Sequence, residues 1–256
     1  MNFGAKKSLG QNFLIDENIC RKIADALEIA PDDNVLEIGP GRGALTRPLS
    51  DKGALVYALE KDPDLCFFLK SRMPELNIAC ADALDYAWSR LERVDRLRIT
   101  GNLPYNVASR LLWDMAGQIS TYKKAVFMVQ REVGQRIVAQ PGSKTYGALS
   151  VWIQSFWTPE ILFGVSPQVF RPSPKVESVV LGFKVIKRGE KFFSNEKLAR
   201  TIRIMFQKRR KQIGTILKSY WNYEIIQFIE SQGIDPRSRP EDLSPADFQG
   251  LSRAIF

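Results

Sequence analysis

The four residues Asn102-Leu103-Pro104-Tyr105 combine the groups needed to hold a flat, nitrogen-bearing ring. Pro104 fixes its own φ angle and keeps Leu103 out of the helical region, so the Leu103 carbonyl is free to face a ligand. The Asn102 side chain offers a second oxygen acceptor, and the Tyr105 ring offers a face for stacking. The same four residues are also typical of an ordinary proline turn, so the interpretation depends on what the chain places nearby.

The sequence contains no histidine, which excludes imidazole general bases, histidine-activated nucleophiles and histidine-ligated metals. Its three cysteines, Cys20, Cys66 and Cys80, have no Cys-x-x-Cys spacing, and we expect reduced thiols that are neither disulfides nor zinc ligands. Any chemistry must therefore use carboxylates, amides, backbone groups or an organic cofactor, and no metal is expected.

A glycine-rich loop at residues 39–43 follows a short apolar strand and precedes a helix, which is the arrangement that a nucleotide-type ligand needs. Gly39 and Gly41 allow the backbone to bend close to the ligand, and the helix start offers free N–H groups. Glu60 ends the next strand, 21 residues after Gly39, where a carboxylate can accept both hydroxyls of a ribose.

Glu37 and Ala44 distinguish two classes of cofactor. Dinucleotide sites favour a third glycine where Ala44 stands, and a carboxylate at Glu37 would repel a pyrophosphate. The same carboxylate favours a cofactor that carries a sulfonium and an ammonium. The loop therefore indicates S-adenosylmethionine in preference to NAD.

Asp82 follows a third short strand at residues 77–80. Ligands of open α/β sheets bind at the carboxyl ends of the strands, so an aspartate there is placed to accept from an adenine amino group. The alternative is that Asp82 caps a helix over residues 83–92, and the two roles are compatible.

Apolar strands alternating with amphipathic helices predict an α/β fold with a seven-stranded, mostly parallel sheet covered by helices on both faces. The predicted strands cover residues 34–38, 54–60, 77–80, 96–101, 124–130, 160–165 and 176–185. The predicted helices cover residues 16–29, 44–49, 63–72, 83–92, 108–119, 131–137, 146–156, 195–220, 223–232 and 245–254. The pattern is helical after about residue 187, so we expect a sheet-bearing domain over 1–187 and a small helical domain over 188–256.

The positive charge of the chain is concentrated in one segment. Between Lys187 and Lys218, eleven lysines and arginines stand against two glutamates, which accounts for the whole formal net charge of +9. At its centre are four consecutive basic residues: Lys208, Arg209, Arg210 and Lys211. Such a surface favours binding to a polyanion, with nucleic acid the leading candidate, and a solvated helix face is the equal alternative.

The composition gives no indication of a membrane protein. No apolar run approaches the roughly 20 residues that span a bilayer, and residues 1–7 lack the apolar core of a secretory signal. Together with the cysteine usage, these features predict a cytoplasmic protein with no membrane partner.

Six motifs occur in order along nearly the whole chain: residues 11–14, 35–43, Glu60, 81–83, 101–105 and 170–178, followed by the basic run. Together they closely resemble the ribosomal RNA adenine N6,N6-dimethyltransferases that act on small-subunit RNA. The opening Gln-Asn-Phe-Leu and the Phe-Arg-Pro-Ser-Pro-Lys-Val sequence that begins at Phe170 make the resemblance far more specific than a glycine loop alone.

The resemblance implies a class I S-adenosylmethionine-dependent methyltransferase (a Rossmann-like sheet) with a small all-α C-terminal domain. It implies transfer of four methyl groups in total to two adjacent adenosines in a hairpin loop near the RNA's 3′ end, leaving S-adenosylhomocysteine, during ribosome biogenesis. The expected partner is small-subunit ribosomal RNA in a pre-ribosomal particle, and the protein is expected to be a monomer.

The resemblance also assigns residues to roles. Together with the glycine loop, it implies cofactor contacts for Asn12, Leu14, Gly39, Gly41, Glu60, Asp82 and Asn102. The segment Asn102-Leu103-Pro104-Tyr105 is implied to hold the target adenine, and we expect Phe170 to close the other face of the base. The basic residues 208–211 are expected to grip phosphates.

Three alternatives stay open. A large-subunit RNA adenine methyltransferase of the macrolide-resistance type would have a similar pocket, and the 170–178 stretch argues against it. An RNA-binding ribosome-assembly factor with little catalysis is disfavoured by the intact 102–105 segment and Glu60. An NAD-dependent oxidoreductase is disfavoured by Glu37, Ala44 and the absence of histidine.

Overall fold

A computed structural model describes residues 4, 6, 9–186 and 193–256. These residues form two compact units. The first comprises the described residues up to Gly134 together with Thr158–Val185, and the second comprises Gln135–Trp157 together with the described residues from Ile186 to Phe256. The predicted domain boundary between residues 187 and 188 lies outside the described residues, so it stays a prediction.

One seven-stranded sheet dominates the first unit. The described residues contain nine strands, of which β1 and β8 form a separate two-stranded sheet. The strands are β1 (Phe13–Leu14), β2 (Asn34–Ile38), β3 (Leu55–Glu60), β4 (Asn77–Cys80), β5 (Leu97–Asn102), β6 (Lys124–Gln130), β7 (Trp157–Val165), β8 (Phe170–Arg171) and β9 (Ser178–Val185). The sheet order is β4-β3-β2-β5-β6-β9-β7. The neighbours from β4 to β6 are parallel, and β9 is antiparallel to β6. The predicted seven-stranded, mostly parallel sheet is confirmed.

The register of the parallel strands brings distant parts of the chain to one edge of the sheet. Ile38 at the end of β2 lies opposite Gly101 of β5, and Glu60 ends β3 one residue beyond the partner of Ile38. Gly39, Glu60 and Asn102 therefore meet at the carboxyl edge. The close approach here requires glycine, because a Cβ on Gly101 would lie 2.5 Å from the Ile38 carbonyl oxygen.

The helices of the described chain follow the apolar periodicity of the sequence. They are α1 (Glu17–Ala26), α2 (Thr46–Asp51), α3 (Pro63–Arg72), α4 (Ala108–Gln118), α5 (Arg131–Ile137), α6 (Ala148–Phe156), α7 (Asn195–Gln207), α8 (Ile213–Ile216), α9 (Tyr223–Gln232) and α10 (Pro245–Ile255). None of these helices is long and apolar enough to cross a membrane.

The helix predicted over residues 83–92 is wrong. Two short 3₁₀ segments, Ala83–Asp85 and Trp88–Arg93, take its place. Asp82 caps the first of them by accepting from the Leu84 N–H, and extended backbone at Tyr86 separates the two. The capping role considered for Asp82 is therefore present, on a much shorter element.

Two strands were missed because each has only two residues, too few for any periodicity. β1 pairs antiparallel with β8, with Phe13 opposite Arg171 and Leu14 opposite Phe170. The pairing continues where the Ile15 N–H donates to the Val169 carbonyl at 2.9 Å. The motifs at residues 11–14 and 170–178, far apart in sequence, are thus hydrogen-bonded neighbours.

Helix α6 belongs to the second unit, where it packs against α7 and α10, and α9 also contacts α10. Its apolar residues between positions 148 and 156 are buried almost throughout. The sequence placed this helix in the first domain by its position in the chain alone. Its packing partners begin 39 or more residues after it ends, so they are not visible in local sequence.

The single helix predicted over residues 195–220 is also wrong. The α-helix α7 ends before Lys208, a turn follows, and α8 begins at Ile213. The Gly214 N–H donates to the Pro236 carbonyl at 2.9 Å in place of continuing the helical ladder. A tertiary hydrogen bond therefore competes successfully with the local apolar pattern.

Candidate active site

The predicted cofactor residues, from separate parts of the sequence, converge on one cavity in the first unit. The carboxyl ends of β2, β3 and β5 bound it on one side, and residues 9–14 form another wall. The cavity is lined by Asn12, Leu14, Gly39, Gly41, Glu60, Asp82 and Asn102, and by Leu103, Pro104 and Tyr105. The roles assigned to these residues from sequence stay predictions, but their meeting in one cavity is a property of the fold.

The glycine loop turns sharply at the mouth of β2. Gly39 and Gly41 have φ angles of +66° and +59°, in the left-handed region that favours glycine. A Cβ on Gly41 would also lie 3.0 Å from a ring carbon of Phe13. The loop therefore brings bare backbone to the cavity, as its sequence predicts.

Glu60 is a nearly buried carboxylate held by backbone amides. Its Oε2 accepts from the Gly41 N–H at 3.1 Å, and its Oε1 accepts from the Asp62 N–H at 2.9 Å. Burial raises the pKa of Glu60, while these amide hydrogen bonds oppose the rise. Each carboxylate oxygen can accept a further hydrogen bond, so the position and state of Glu60 are compatible with the predicted ribose contact.

Glu37 lies beneath the loop and is only 2% exposed. Its Oε2 accepts from the Thr46 hydroxyl at 2.6 Å. Burial raises the pKa of Glu37 to about 7. A carboxyl group in this state gains most from a cationic ligand, because a nearby positive charge favours its ionised form.

Asp82 is held by two contacts at the same edge. Its Oδ2 lies 2.6 Å from Lys61 Nζ, and its Oδ1 accepts from the Leu84 N–H at 2.9 Å. The hydrogen bond from Lys61 lowers the pKa of Asp82. Asp82 is thus an ionised acceptor that caps a turn and lines the cavity, so both sequence interpretations of this residue are compatible with its position.

Residues 9–14, the N-terminal wall of the cavity, orient Asn102. Its side-chain Nδ2 donates to the Asn12 carbonyl at 2.9 Å. This bond assigns the nitrogen of the amide and leaves Oδ1 as an acceptor. The Leu103 N–H donates to the Met128 carbonyl at 3.1 Å, which fixes the following peptide beside β6.

Tyr105 is fixed by a residue that the sequence did not single out. Its hydroxyl lies 2.7 Å from Ser178 Oγ, at the start of β9. Ser178 is fully buried, whereas Tyr105 is half-buried and lines the cavity. Burial raises the pKa of Tyr105, so its hydroxyl stays protonated at neutral pH. Ser178 closes the 170–178 motif, and that membership was the only available signal.

Phe170 is not where its predicted role requires it. Its side chain is fully buried and belongs to the apolar core with Leu14, Ile23 and Val180. It does not appear among the residues that line the cavity in the described chain. The β1–β8 pairing explains the difference, because it places Phe170 opposite Leu14 and under the N-terminal wall. In this structure Phe170 packs beneath the N-terminal wall and does not itself line the cavity.

The basic run forms a turn in the second unit. Lys208, Arg210 and Lys211 are exposed. Arg209 is half-buried, forms an ion pair with Glu241, and donates to the Lys144 carbonyl at 2.8 Å. Three of the four predicted phosphate-binding residues are therefore accessible, and the fourth holds the turn in place.

The cavity and the sheet together define the class of the protein. The residues present fit S-adenosylmethionine, because Glu60 offers carboxylate acceptors, the loop offers bare backbone, and Glu37 offers a buried carboxyl group whose ionised form a sulfonium or ammonium would favour. Among the described residues, no group of His, Cys, Asp and Glu side chains is arranged to hold a metal ion. With its sheet order, the protein is a class I S-adenosylmethionine-dependent methyltransferase.

The chain belongs to the ribosomal RNA adenine dimethylase family, whose model matches residues 2–255. It is 49% identical over 252 residues to the ribosomal RNA small subunit methyltransferase A of Maridesulfovibrio salexigens, covering 98% of this chain and 95% of that protein. It is 47% identical over 256 residues to the protein of the same name from Nitratidesulfovibrio vulgaris strain Hildenborough, covering 98% of this chain and 96% of that protein. The family predicted from the motifs is thereby confirmed.

Two solved structures are similar over nearly the whole chain. A dimethyladenosine transferase from Plasmodium falciparum superposes with a TM-score of 0.79 at 25% identity, covering 93% of this chain and 95% of that one. The 23S rRNA methyltransferase ErmE superposes with a TM-score of 0.70 at 25% identity, covering 95% of this chain and 99% of that one.

Proposed function

We propose that this protein transfers methyl groups from S-adenosylmethionine to N6 of two adjacent adenosines in a hairpin loop near the 3′ end of small-subunit ribosomal RNA. The product is N6,N6-dimethyladenosine, made during ribosome biogenesis. The observation that carries this proposal is the Asn102–Asn12 hydrogen bond, because it leaves the Asn102 side-chain oxygen as an acceptor beside the Leu103-Pro104-Tyr105 turn.

The chemistry of adenine N6 explains why such acceptors matter. Its lone pair is delocalised into the ring, so N6 becomes nucleophilic only as it rehybridises and gains positive charge. S-adenosylmethionine, when bound, supplies an electrophilic methyl group on a sulfonium. The Asn102 oxygen and the Leu103 carbonyl accept from the two N6 hydrogens and stabilise the developing charge, an electrostatic contribution that needs no histidine.

The second methylation uses the same groups with one fewer contact. Monomethylated N6 carries one hydrogen, so only one of the two acceptors is satisfied while the first methyl is rotated aside. Tyr105 stacks on the base in both rounds, a contact worth roughly 1–3 kcal/mol. The adenosine must leave its stack to reach the cavity, which favours a loop over a duplex.

We assign the cofactor contacts to residues that line the cavity. Glu60 accepts from the ribose hydroxyls, Asp82 accepts from the adenine amino group of the cofactor, and Gly39 and Gly41 approach its amino-acid end. Asn12 and Leu14 cover it from the N-terminal wall. The burial of Glu60 and its two amide hydrogen bonds support this assignment.

Exposed basic residues of the second unit grip the RNA. Lys208, Arg210 and Lys211 contact phosphates, and Arg209 supports them through its ion pair with Glu241. We further propose that the protein acts in the cytoplasm as a monomer, with a pre-ribosomal particle as its substrate. Sedimentation of the protein alone and with immature small subunits tests the oligomeric state and the particle together.

A large-subunit target is the nearest alternative, since ErmE is a 23S rRNA methyltransferase. The small-subunit target is favoured because the curated relatives at 49% and 47% identity carry the small-subunit name. The second alternative, an assembly factor with little catalysis, is compatible with RNA binding but leaves the preorganised Asn102 and Glu60 without a purpose.

Incubation with labelled S-adenosylmethionine separates these possibilities. We expect label in under-methylated small subunits, at two adjacent adenosines, with dimethyladenosine as the end product by mass spectrometry. Large subunits serve as the matched substrate control. Label confined to large-subunit RNA would support the first alternative, and binding of small subunits without label would support the second.

A further inference from the structure

A group of polar side chains fastens the N-terminal wall of the cavity to the start of α3. Lys6 Nζ lies 2.6 Å from Asp62 Oδ1 and 2.7 Å from Asp64 Oδ2. Gln11 Nε2 donates to Asp62 Oδ2 at 3.0 Å, and the Lys6 N–H donates to Gln11 Oε1 at 2.7 Å. We call Lys6, Gln11 and Asp62 the clasp.

Asp62 depends on these contacts because its side chain is only 2% exposed. Burial opposes its ionisation, but the hydrogen bonds from Lys6 and Gln11 outweigh this and lower the pKa of Asp62. The carboxylate also caps α3 by accepting from the Asp64 N–H at 3.1 Å. A buried charge of this kind is stable only when its oxygens are satisfied, so the wall and the start of α3 hold one another.

The clasp adjoins two groups of the candidate active site. The Asp62 N–H donates to Glu60 Oε1, which fixes the carboxylate assigned to the ribose. Gln11 directly precedes Asn12, whose carbonyl orients Asn102. A ligand in the cavity is therefore enclosed by a wall that is tied at one end by the clasp and at the other by the β1–β8 pairing.

We propose that Lys6 and Gln11 are positioning residues for the cofactor, which act through Asp62 to hold residues 9–14 closed and so lengthen the residence time of S-adenosylmethionine and S-adenosylhomocysteine. The inference rests on the proposed function for the identity of the ligand. Neither side chain needs to touch the reacting atoms.

Binding of S-adenosylhomocysteine to the full chain without RNA tests the clasp. Lys6→Met and Gln11→Leu should each raise the dissociation rate in stopped-flow measurements by roughly fivefold to tenfold, because each variant loses one hydrogen bond to the Asp62 carboxylate. Lys6→Arg should keep the dissociation rate close to that of the wild type. The increase in dissociation rate of the double variant should be smaller than the product of the two single-variant increases, because both side chains act on one carboxylate.

Lys52→Met is the matched control, since Lys52 forms a 2.7 Å ion pair with Asp25 and does not line the cavity. Its dissociation rate should equal that of the wild type. Amide hydrogen exchange of residues 9–14 should quicken in the clasp variants while the melting temperature of the free protein is kept. High salt should bring the wild type towards Lys6→Met, because part of the Lys6 side chain is accessible to ions.

The outcomes separate the two proposals. Dissociation rates of Lys6→Met and Gln11→Leu within twofold of the wild type would overturn the clasp and leave the proposed function untouched. Failure of the wild type to bind S-adenosylhomocysteine would overturn the cofactor assignment itself. Faster dissociation with a large loss of melting temperature would reduce the clasp to a general structural contact.

Discussion

The hydroxyl groups of Tyr105 and Ser178 lie 2.7 Å apart although 73 residues separate them in the chain. Tyr105 follows β5 at the cavity, and Ser178 is the buried first residue of β9. The bond ties the ring proposed to stack on the target adenine to the second half of the sheet. It gives the motif at residues 170–178 a function at the site that does not require Phe170 to leave the core.

Replacement of Ser178 tests this relationship. Ser178→Ala removes the partner of a half-buried hydroxyl, at a cost of about 1 kcal/mol, or roughly a fivefold rise in KM for the RNA substrate with kcat less affected. Ser173→Ala is the control, because Ser173 lies in the same motif but is exposed and bonds the Pro167 carbonyl. Combining Ser178→Ala with Tyr105→Phe should add little, and full additivity in steady-state kinetics would contradict the coupling.

Asn102→Ala should abolish both methylation steps. The variant loses the side-chain acceptor for N6 and the hydrogen bond to Asn12, and loss of one preorganised group typically slows the chemical step by about 10²–10³. Single-turnover incorporation of labelled methyl groups into small subunits measures it. Asn77→Ala, on the exposed edge strand β4, is the matched control. Near-wild-type turnover by Asn102→Ala would refute the assigned role.

Reversal of two charges in the basic turn should weaken RNA binding and flatten its salt dependence. Lys208→Glu with Lys211→Glu removes two exposed cations, so the slope of log affinity against log salt should fall by about 1–2. The control, Lys22→Glu with Arg90→Glu, makes the same change in net charge at other exposed positions. Equal slopes in filter-binding titrations of the two double variants would contradict phosphate binding by the turn and would support a merely solvated surface.

Asp33 should control the acid stability of the first unit. It is fully buried and accepts from Arg96 and Arg98 at 2.8 and 2.6 Å. Burial alone would raise the pKa of Asp33, but the Ala30 N–H and the two arginines lower it to about 2. Because the folded-state pKa lies below the unfolded one, its stabilisation is complete above about pH 4 and is lost as pH falls towards 2.

Urea unfolding at a series of pH values checks this. Asp33→Asn should be less stable than the wild type at neutral pH, since it leaves the buried Arg98 without its anion, and the difference should narrow between pH 4 and 2. Asp32→Asn is the neighbouring exposed control, at a position with a φ angle of +62° that asparagine tolerates. An unchanged gap across this range would exclude Asp33 as the titrating group.

Short-range patterns predicted most of the first unit. The strands at 34–38, 77–80 and 124–130 and the helices at 63–72 and 131–137 coincide with the structure to the residue. Apolar runs bounded by glycine, proline and aspartate specify such elements locally, because each satisfies its own backbone or pairs with a similar neighbour. The ordered motifs also identified the family and the residues that meet in the cavity.

Three differences between the sequence prediction and the structure share one cause. The two-residue strands, the broken helix after Gln207 and the buried position of Phe170 each depend on a partner distant in the chain. Local periodicity carries no information about such partners.

Periodicity and motifs of fixed order were enough to predict the fold class, the family and the ten assigned site residues that line the cavity. That Ser178 anchors Tyr105, that Asn12 orients Asn102 and that Phe170 lies in the core became visible only in the folded chain. Hydrogen-bond geometry and burial are set by the sheet register and by the pairing of β1 with β8, because these bring together residues 73 to more than 150 positions apart.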